Sequence, residues 1–286
     1  MIIFKSIFKV VFLTLILSFI PTIVSADVVM GIFPRRPAAA TVAAFTPLAN
    51  RLSKVLGEKV RIVAPKNFRV FWKDVKQNRF DLVHYNQFQY IKSHKEQGYK
   101  VIAANEEFGK STIAGAIAVR TDSGINSIAD LKGKTILFGG GKMAMTSYIA
   151  TTGLLKKNGL AEGKDYKVRF AANPPSAVIG VYNNAAQAAG TGDIALKVKA
   201  IISKIDASKM KILAKSDRFI EVCWAVNKSM PADEASRIQQ AMTTLKGSSE
   251  GKQILKVAHV TNFVKATDAD FNKVREIARY AMGKSY

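Results

Sequence analysis

The stretch FGGGKMAMTSYIATTGL, residues 138–154, combines three features that together predict its local fold. A β-rich run ends in three glycines and a lysine, and a helical pattern from Met145 to Lys157 follows. Glycine lets the backbone adopt positive φ and approach a ligand closely. A helix start offers unpaired N–H groups and the positive end of a dipole. Strand, glycine turn and helix start therefore predict a seat for an anion. Its candidate contacts are Gly141, Lys142, Thr146 and Ser147.

The chain around this stretch alternates between β-rich runs and helical patterns in two series. The first series covers residues 27–120, and the second begins after the turn-forming residues 121–124. Such βα alternation predicts largely parallel sheets covered by helices. We therefore expect an α/β fold of two lobes, each a mainly parallel sheet flanked by helices. The expected lobes are lobe I, residues 27–118 and 225–286, and lobe II, residues 119–224.

The N-terminus has the pattern of a signal peptide. Lys5 and Lys9 precede an apolar run, residues 10–20, and Val24-Ser25-Ala26 is a small-residue cleavage site. The alternative is an N-terminal membrane anchor, but the apolar run is short against the ~20 residues that a spanning helix needs. We expect residues 1–26 to be removed after Ala26, which leaves a secreted protein.

The composition is strongly basic, with a formal net charge of +22. A basic protein attracts nucleic acid, anionic membrane surfaces or small anions. The lysines are scattered, however, and form no dense block with interleaved aromatic residues, so a nucleic-acid surface is not expected. Cys223 is the single cysteine and lies in an apolar run, which is typical of a buried structural thiol.

Motifs for catalysis and metal binding are missing. Lys142 is followed by methionine, so the glycine run is not a P-loop. His84, His94 and His259 show no metal-ligand spacing, and no nucleophile elbow is present. We therefore expect neither an enzyme nor a bound metal or cofactor. A secreted enzyme that uses His84 or Asp193 is the alternative from another class.

Polar residues follow several predicted strands, and ligands of open α/β sheets bind outside the carboxyl ends of strands. Tyr85 and Asn86 follow the strand at 81–84, Asp193 follows the strand at 188–190, and Glu221 precedes the returning strand. Each has a simpler interpretation. Asn86 is equally well a helix cap, Asp193 a turn residue, and Tyr85 a core residue with a satisfied hydroxyl.

Several stretches resemble the periplasmic substrate-binding proteins of phosphonate, phosphite and phosphate ABC importers. They are Gly31-Ile32-Phe33-Pro34, Pro47-Leu48-Ala49 with Leu52, Asp81 to Tyr85, Ile128 to Lys134, the glycine turn with Ser147-Tyr148, and Ala188 to Asp193. The resemblance covers essentially the whole chain after residue 26. It implies two α/β lobes of the type II-like class, joined by two hinge crossings, which close on a small anionic ligand.

The resemblance also implies roles for the candidate residues. Thr146 and Ser147 would hold phosphonate oxygens, Tyr85 would touch the ligand from lobe I, and Asp193 and Glu221 would hold the amine of an aminoalkyl phosphonate. An ABC permease in the inner membrane would be the partner of a monomeric binding protein. The family's serines and threonines before the helix are replaced here by Met143-Ala144-Met145. A different small organic anion, or a ligand-sensing module for a membrane signalling partner, therefore remains an alternative.

Overall fold

The computed structural model describes residues 27–286, and the predicted signal peptide lies outside these residues. The strands are β1 (Val28–Ile32), β2 (Val60–Val63), β3 (Leu82–Tyr85), β4 (Lys100–Glu106), β5 (Thr112–Arg120), β6 (Thr135–Gly139), β7 (Lys167–Ala171), β8 (Ala188–Gly192), β9 (Met210–Ile220), β10 (Cys223–Val226) and β11 (Asn262–Lys265). The α-helices are α1 (Ala38–Leu56), α2 (Phe68–Lys76), α3 (Gln87–Gln97), α4 (Ala150–Lys157), α5 (Pro174–Tyr182), α6 (Lys199–Ile202), α7 (Ala232–Thr243), α8 (Ser249–Ala258) and α9 (Asn272–Met282).

The strands form two sheets. The first has the order β11-β4-β10-β3-β1-β2 and the second the order β7-β6-β8-β5-β9. Helices flank both, so the predicted α/β fold of two lobes is confirmed. In each lobe the strand that follows a crossing lies inside the sheet: β10 lies between β3 and β4, and β5 lies between β8 and β9.

The sheets are mixed rather than mainly parallel. In the first sheet β1 is parallel to β2 and β3, while β10 is antiparallel to both of its neighbours. In the second sheet β6 is parallel to β7 and β8, while β5 is antiparallel to β8 and β9. A strand that enters directly from the other lobe runs against the βαβ direction, because no helix turns the chain back before it pairs.

The sheets also place the lobe boundaries away from the expected ones. The boundary expected after residue 118 falls inside β5, which pairs in the second sheet from Thr112 to Arg120. The one expected before residue 225 falls inside β10 of the first sheet. The crossings are therefore residues 107–111 and 221–222. The turn chemistry at residues 121–124 marks the end of a strand and not a change of lobe.

The C-terminal helix touches both lobes. Helix α9 packs against α4 of lobe II and α3 of lobe I, with Val274, Ile277 and Ala278 buried on its inner face. The boundaries expected from the sequence place this helix in lobe I alone. None of the helices in residues 27–286 is long and apolar enough to cross a membrane.

Candidate functional site

The glycine turn after β6 has the predicted conformation. Gly140 and Gly141 have φ of +84° and +80°, which L side chains rarely adopt. Gly139 is constrained by space instead. A Cβ at this position would lie 2.2 Å from the backbone at Asn173 and Pro174, so the start of α5 can approach β6 only because this residue is glycine.

The helix that follows begins with a wide turn. Residues Met145–Ile149 form one π-type turn that leads into α4. The carbonyl oxygen of Ala144 accepts from the N–H groups of Tyr148 and Ile149, at 3.0 and 3.1 Å. Within residues 27–286 the N–H groups of Met145, Thr146 and Ser147 have no acceptor. Three free donors at a helix start are the groups that bind an oxyanion.

The two predicted hydroxyl groups differ in what they do. Ser147 is buried, and its Oγ donates to the Gly139 carbonyl oxygen at 2.6 Å, which holds the turn closed. Thr146 is half-buried and makes no side-chain hydrogen bond to any described residue. Of the two hydroxyl groups, that of Thr146 is therefore without a partner in the described residues, while that of Ser147 supports the turn.

Lys142 lies at the rim of the turn. Its side chain is 68% exposed, and Nζ is 3.9 Å from Glu162 Oε1. The other Glu162 oxygen accepts from the Tyr148 hydroxyl at 2.6 Å. The Lys142 ammonium therefore contributes long-range charge to the turn and does not form a direct contact within it.

Asn86 connects the two lobes. Its Oδ1 accepts from the Gln89 N–H at 2.9 Å and completes a capping box at the start of α3. Its Nδ2 donates to the Met143 carbonyl oxygen of lobe II at 3.2 Å. The cap interpretation is thus correct, and the same side chain also bridges the cleft beside the glycine turn.

Tyr85 lies in the core of lobe I rather than in the cleft. It is fully buried, and its hydroxyl is 2.7 Å from Ser93 Oγ. Phe71, Tyr90 and Tyr99 surround its ring. The structure therefore supports the core interpretation and offers this hydroxyl no path to a ligand.

The two acidic candidates differ in their partners. Asp193 Oδ1 accepts from the Ala114 N–H at 3.2 Å, and its other oxygen pairs with Arg218. Glu221 is buried at the crossing, and its Oε2 accepts from the Val222 N–H at 3.0 Å. Burial, followed by the nearby Glu107 charge, raises the pKa of Glu221 to about 8, so this carboxyl group is mostly neutral at pH 7.

An ion pair beside Glu221 was missed by sequence reasoning. Arg35 Nη2 donates to Glu107 Oε1 at 2.8 Å, and Asn105 Nδ2 donates to the same oxygen at 3.1 Å. Burial raises the pKa of Glu107, but Arg35 outweighs it and lowers the pKa overall. One signal was available in the sequence, because Arg35 lies three residues after the last residue of the first strand and so near its carboxyl end.

His84 also lies near this ion pair. Its Nδ1 is 3.0 Å from the Cys223 carbonyl oxygen, and its ring stacks on Trp224. Burial and then the Arg35 charge lower the pKa of His84 to about 3. The neutral ring donates through Nδ1, which leaves Nε2 as a buried acceptor without a partner in the described residues. No group of His, Cys, Asp and Glu in residues 27–286 is arranged to hold a metal ion.

Two lobes joined by two crossings, with a helix start and a cap facing each other between them, define a periplasmic binding protein. A family model described as "ABC transporter, phosphonate, periplasmic substrate-binding protein" matches residues 30–271. The chain belongs to this family, which is a transport family and not an enzyme class.

Solved structures agree in fold. XAC2383 from Xanthomonas citri, bound to chloride ion, has a TM-score of 0.78 at 15% identity over 91% of this chain and 98% of that one. PA3383 from Pseudomonas aeruginosa, a binding protein component of an ABC phosphonate transporter, has a TM-score of 0.77 at 13% identity, over 89% of this chain and 86% of that one. PhnD1 from Prochlorococcus marinus, in complex with methylphosphonate, has a TM-score of 0.76 at 15% identity, over 88% of this chain and 97% of that one.

Proposed function

We propose that this protein captures a small phosphorus oxyanion, a phosphonate, phosphite or phosphate, between its lobes for an ABC permease. The observation that carries the proposal is the set of three free N–H groups at residues 145–147 beside the unpaired Thr146 hydroxyl. A tetrahedral oxyanion presents several acceptor oxygens, which match this set of donors. The family's transport role and the methylphosphonate held by PhnD1 support the same class of ligand.

The state of the acidic residues favours a ligand without an ammonium group. Asp193 is neutralised by Arg218, and Glu107 is neutralised by Arg35. Glu221 is mostly protonated at pH 7 because its pKa is about 8. Two of these three carboxyl groups are thus paired with arginines and the third is favoured in its neutral form, so we propose a simple oxyanion in preference to an aminoalkyl phosphonate.

Lobe closure is the proposed mechanism. The anion binds to the N–H groups of lobe II, and Asn86 closes over the turn from lobe I through its bond to the Met143 carbonyl. A ligand that is contacted fully only in the closed form shifts the population towards that form. The closed protein, released from residues 1–26 after Ala26, would then act as a monomer on the permease in the inner membrane.

Thermal unfolding of ligand-stripped protein tests the proposal with phosphate, phosphite, methylphosphonate, 2-aminoethylphosphonate, sulfate and carboxylates. A ligand that binds only the folded form adds about 2.7 kcal/mol at a hundredfold excess over its Kd. We expect a phosphorus oxyanion to raise the Tm, and Thr146→Val to weaken its binding by about 1–3 kcal/mol.

The matched control is Thr152→Val. This threonine lies on the same helix, and its hydroxyl bonds to the Ile149 carbonyl. It should leave the affinity unchanged. If no phosphorus oxyanion raises the Tm, or if both variants bind like the parent protein, the proposed ligand seat is wrong.

A further inference from the structure

A cavity of about 390 Å³ lies between α2 and the glycine turn, at the outer end of the cleft. We call it the outer vestibule. Both lobes line it, with helix α2 on one side and residues 140–143 on the other. Its principal side chains are Arg69, Trp72, Lys73, Lys76, Lys142 and Met143.

The vestibule concentrates positive charge without neutralising it. Arg69, Lys73 and Lys76 are spaced at i, i+4 and i+7, so they share one face of α2, where like charges destabilise a helix. Within residues 27–286 none of the three has a carboxylate within 4.0 Å. The one acidic residue of α2, Asp74, is buried and pairs with Arg79 instead.

The vestibule lies close to the proposed oxyanion seat along the chain. Its lobe II lining residues Gly140, Lys142 and Met143 come two to five residues before the first of the free N–H groups at residues 145–147. A second group carried by an anion in the seat would therefore have the cations of α2 as its neighbours on the lobe I side. Trp72 and Met143 are both partly buried and give this space an apolar wall.

We propose that the ligand carries two anionic groups, one phosphorus oxyanion in the seat and a second anionic group in the outer vestibule. This inference rests on the proposed function, because it assigns the first group to the same seat. The second group would supply the counter-charge that Arg69, Lys73 and Lys76 lack. It would also connect cations from both lobes and so favour closure.

Calorimetric titration with inorganic phosphate and inorganic diphosphate, without divalent cations, tests the inference. We expect diphosphate to bind at least tenfold more tightly than phosphate. The variant Lys73→Gln/Lys76→Gln should weaken diphosphate at least fivefold and phosphate less than twofold. Lys132→Gln/Lys134→Gln removes the same charge at the other end of β6, where both lysines are exposed, and should change neither affinity substantially.

Fluorescence gives a second, local readout. The chain has two tryptophans; Trp72 lines the vestibule, while Trp224 is fully buried. Diphosphate should change the emission of the parent protein and should not change that of Trp72→Phe.

The outcomes separate the two proposals. If phosphate binds through Thr146 but diphosphate binds no more tightly, the vestibule proposal is overturned and the seat remains. The same holds if the Lys132/Lys134 control weakens diphosphate as much as the Lys73/Lys76 variant, since the effect is then one of overall charge. If neither anion binds, the vestibule proposal fails, and the seat proposal fails with it when phosphite and methylphosphonate also leave the Tm unchanged.

Discussion

Gly139, the last residue of β6, and Gly141, in the turn after it, are required for different physical reasons. Gly139 has ordinary φ but no room for a side chain, because the start of α5 lies against it. Gly141 has φ of +80° but open space around it. The first glycine therefore controls packing between two elements, and the second controls the direction of the chain towards the helix start.

Alanine substitutions should separate these roles. Gly139→Ala forces the backbone of residues 173–174 to move, and we expect it to lower the free energy of unfolding by about 1–3 kcal/mol. Gly141→Ala meets only the cost of a left-handed backbone, about 1–2 kcal/mol. Denaturant unfolding measures the loss of stability. Oxyanion titration should show a larger loss of affinity for Gly139→Ala, because the Ser147 hydroxyl bonds to that residue's carbonyl.

Glu221 makes stability depend on pH. Its pKa is raised to about 8 in the folded protein, so between about pH 4.5 and 8 the folded state holds a proton that the unfolded state lacks. Stability from this group is complete below pH 4.5 and is lost as the pH rises through 8. His84 acts in the opposite sense, because its pKa of about 3 removes stability as the pH falls below its unfolded value of about 6.5.

The contributions of Glu221 and His84 to the pH dependence of stability can be separated above pH 6.5, because only Glu221 of these two residues still titrates there. Glu107, Arg35 and Asp193 face the same carboxyl group. We expect the free energy of unfolding to fall by up to about 2 kcal/mol between pH 6.5 and 8, and the fall to be much smaller in Glu221→Gln. Equal slopes in the two proteins would show that Glu221 is ionised at neutral pH.

At the scale of elements, two helix starts meet across the cleft. Helix α3 begins at Asn86, and the helix of lobe II begins at the turn after Gly141. Asn86 makes the contact between them, since its Oδ1 caps its own helix and its Nδ2 reaches Met143. One side chain thus joins local helix formation to lobe closure.

Substitutions at Asn86 should separate capping from closure. Serine and aspartate both cap a helix well, but neither offers the amide donor. We expect Asn86→Ser to keep the stability within about 0.5 kcal/mol and to weaken oxyanion binding about fivefold. Asn86→Asp should weaken it further, because it also adds a negative charge. An affinity of Asn86→Ser equal to that of the parent protein would mean that the contact with Met143 has no part in binding.

At the scale of the whole molecule, the crossings at residues 107–111 and 221–222 connect the lobes, and α9 spans them. Ile277 of α9 is buried, and its side chain lies next to Gly153 of α4. Helix α9 also contacts α3, so it touches both lobes at a place separate from the two crossings.

Small-angle scattering tests closure of the whole molecule. A saturating phosphorus oxyanion should lower the radius of gyration of the ligand-stripped protein. Asn86→Asp should show a smaller decrease at the same ligand concentration, because it weakens the closed form. The mechanism is contradicted if a ligand binds tightly and the radius of gyration stays constant.

Local features were predictable from the sequence alone because they depend on neighbouring residues. The glycine turn, the helical pattern from Met145 to Lys157 and the cap at Asn86 follow from backbone freedom, periodicity and capping chemistry. All are present in the structure, although the first five residues of the helical pattern form a π-type turn before α4. The α/β class and the two lobes followed from the order of strands and helices.

Long-range pairing and burial were decided only by the tertiary structure. All four residues of β3 are buried, so alternation along the strand could not reveal that Tyr85 points into the core. The antiparallel β5 and β10, and hence the lobe boundaries, depend on partners far away in the chain. The charge state of Glu221 depends on burial and on Glu107, which lies in the other crossing. Such contacts cannot be predicted from the residues next to each position in the sequence, because only folding brings the partners together.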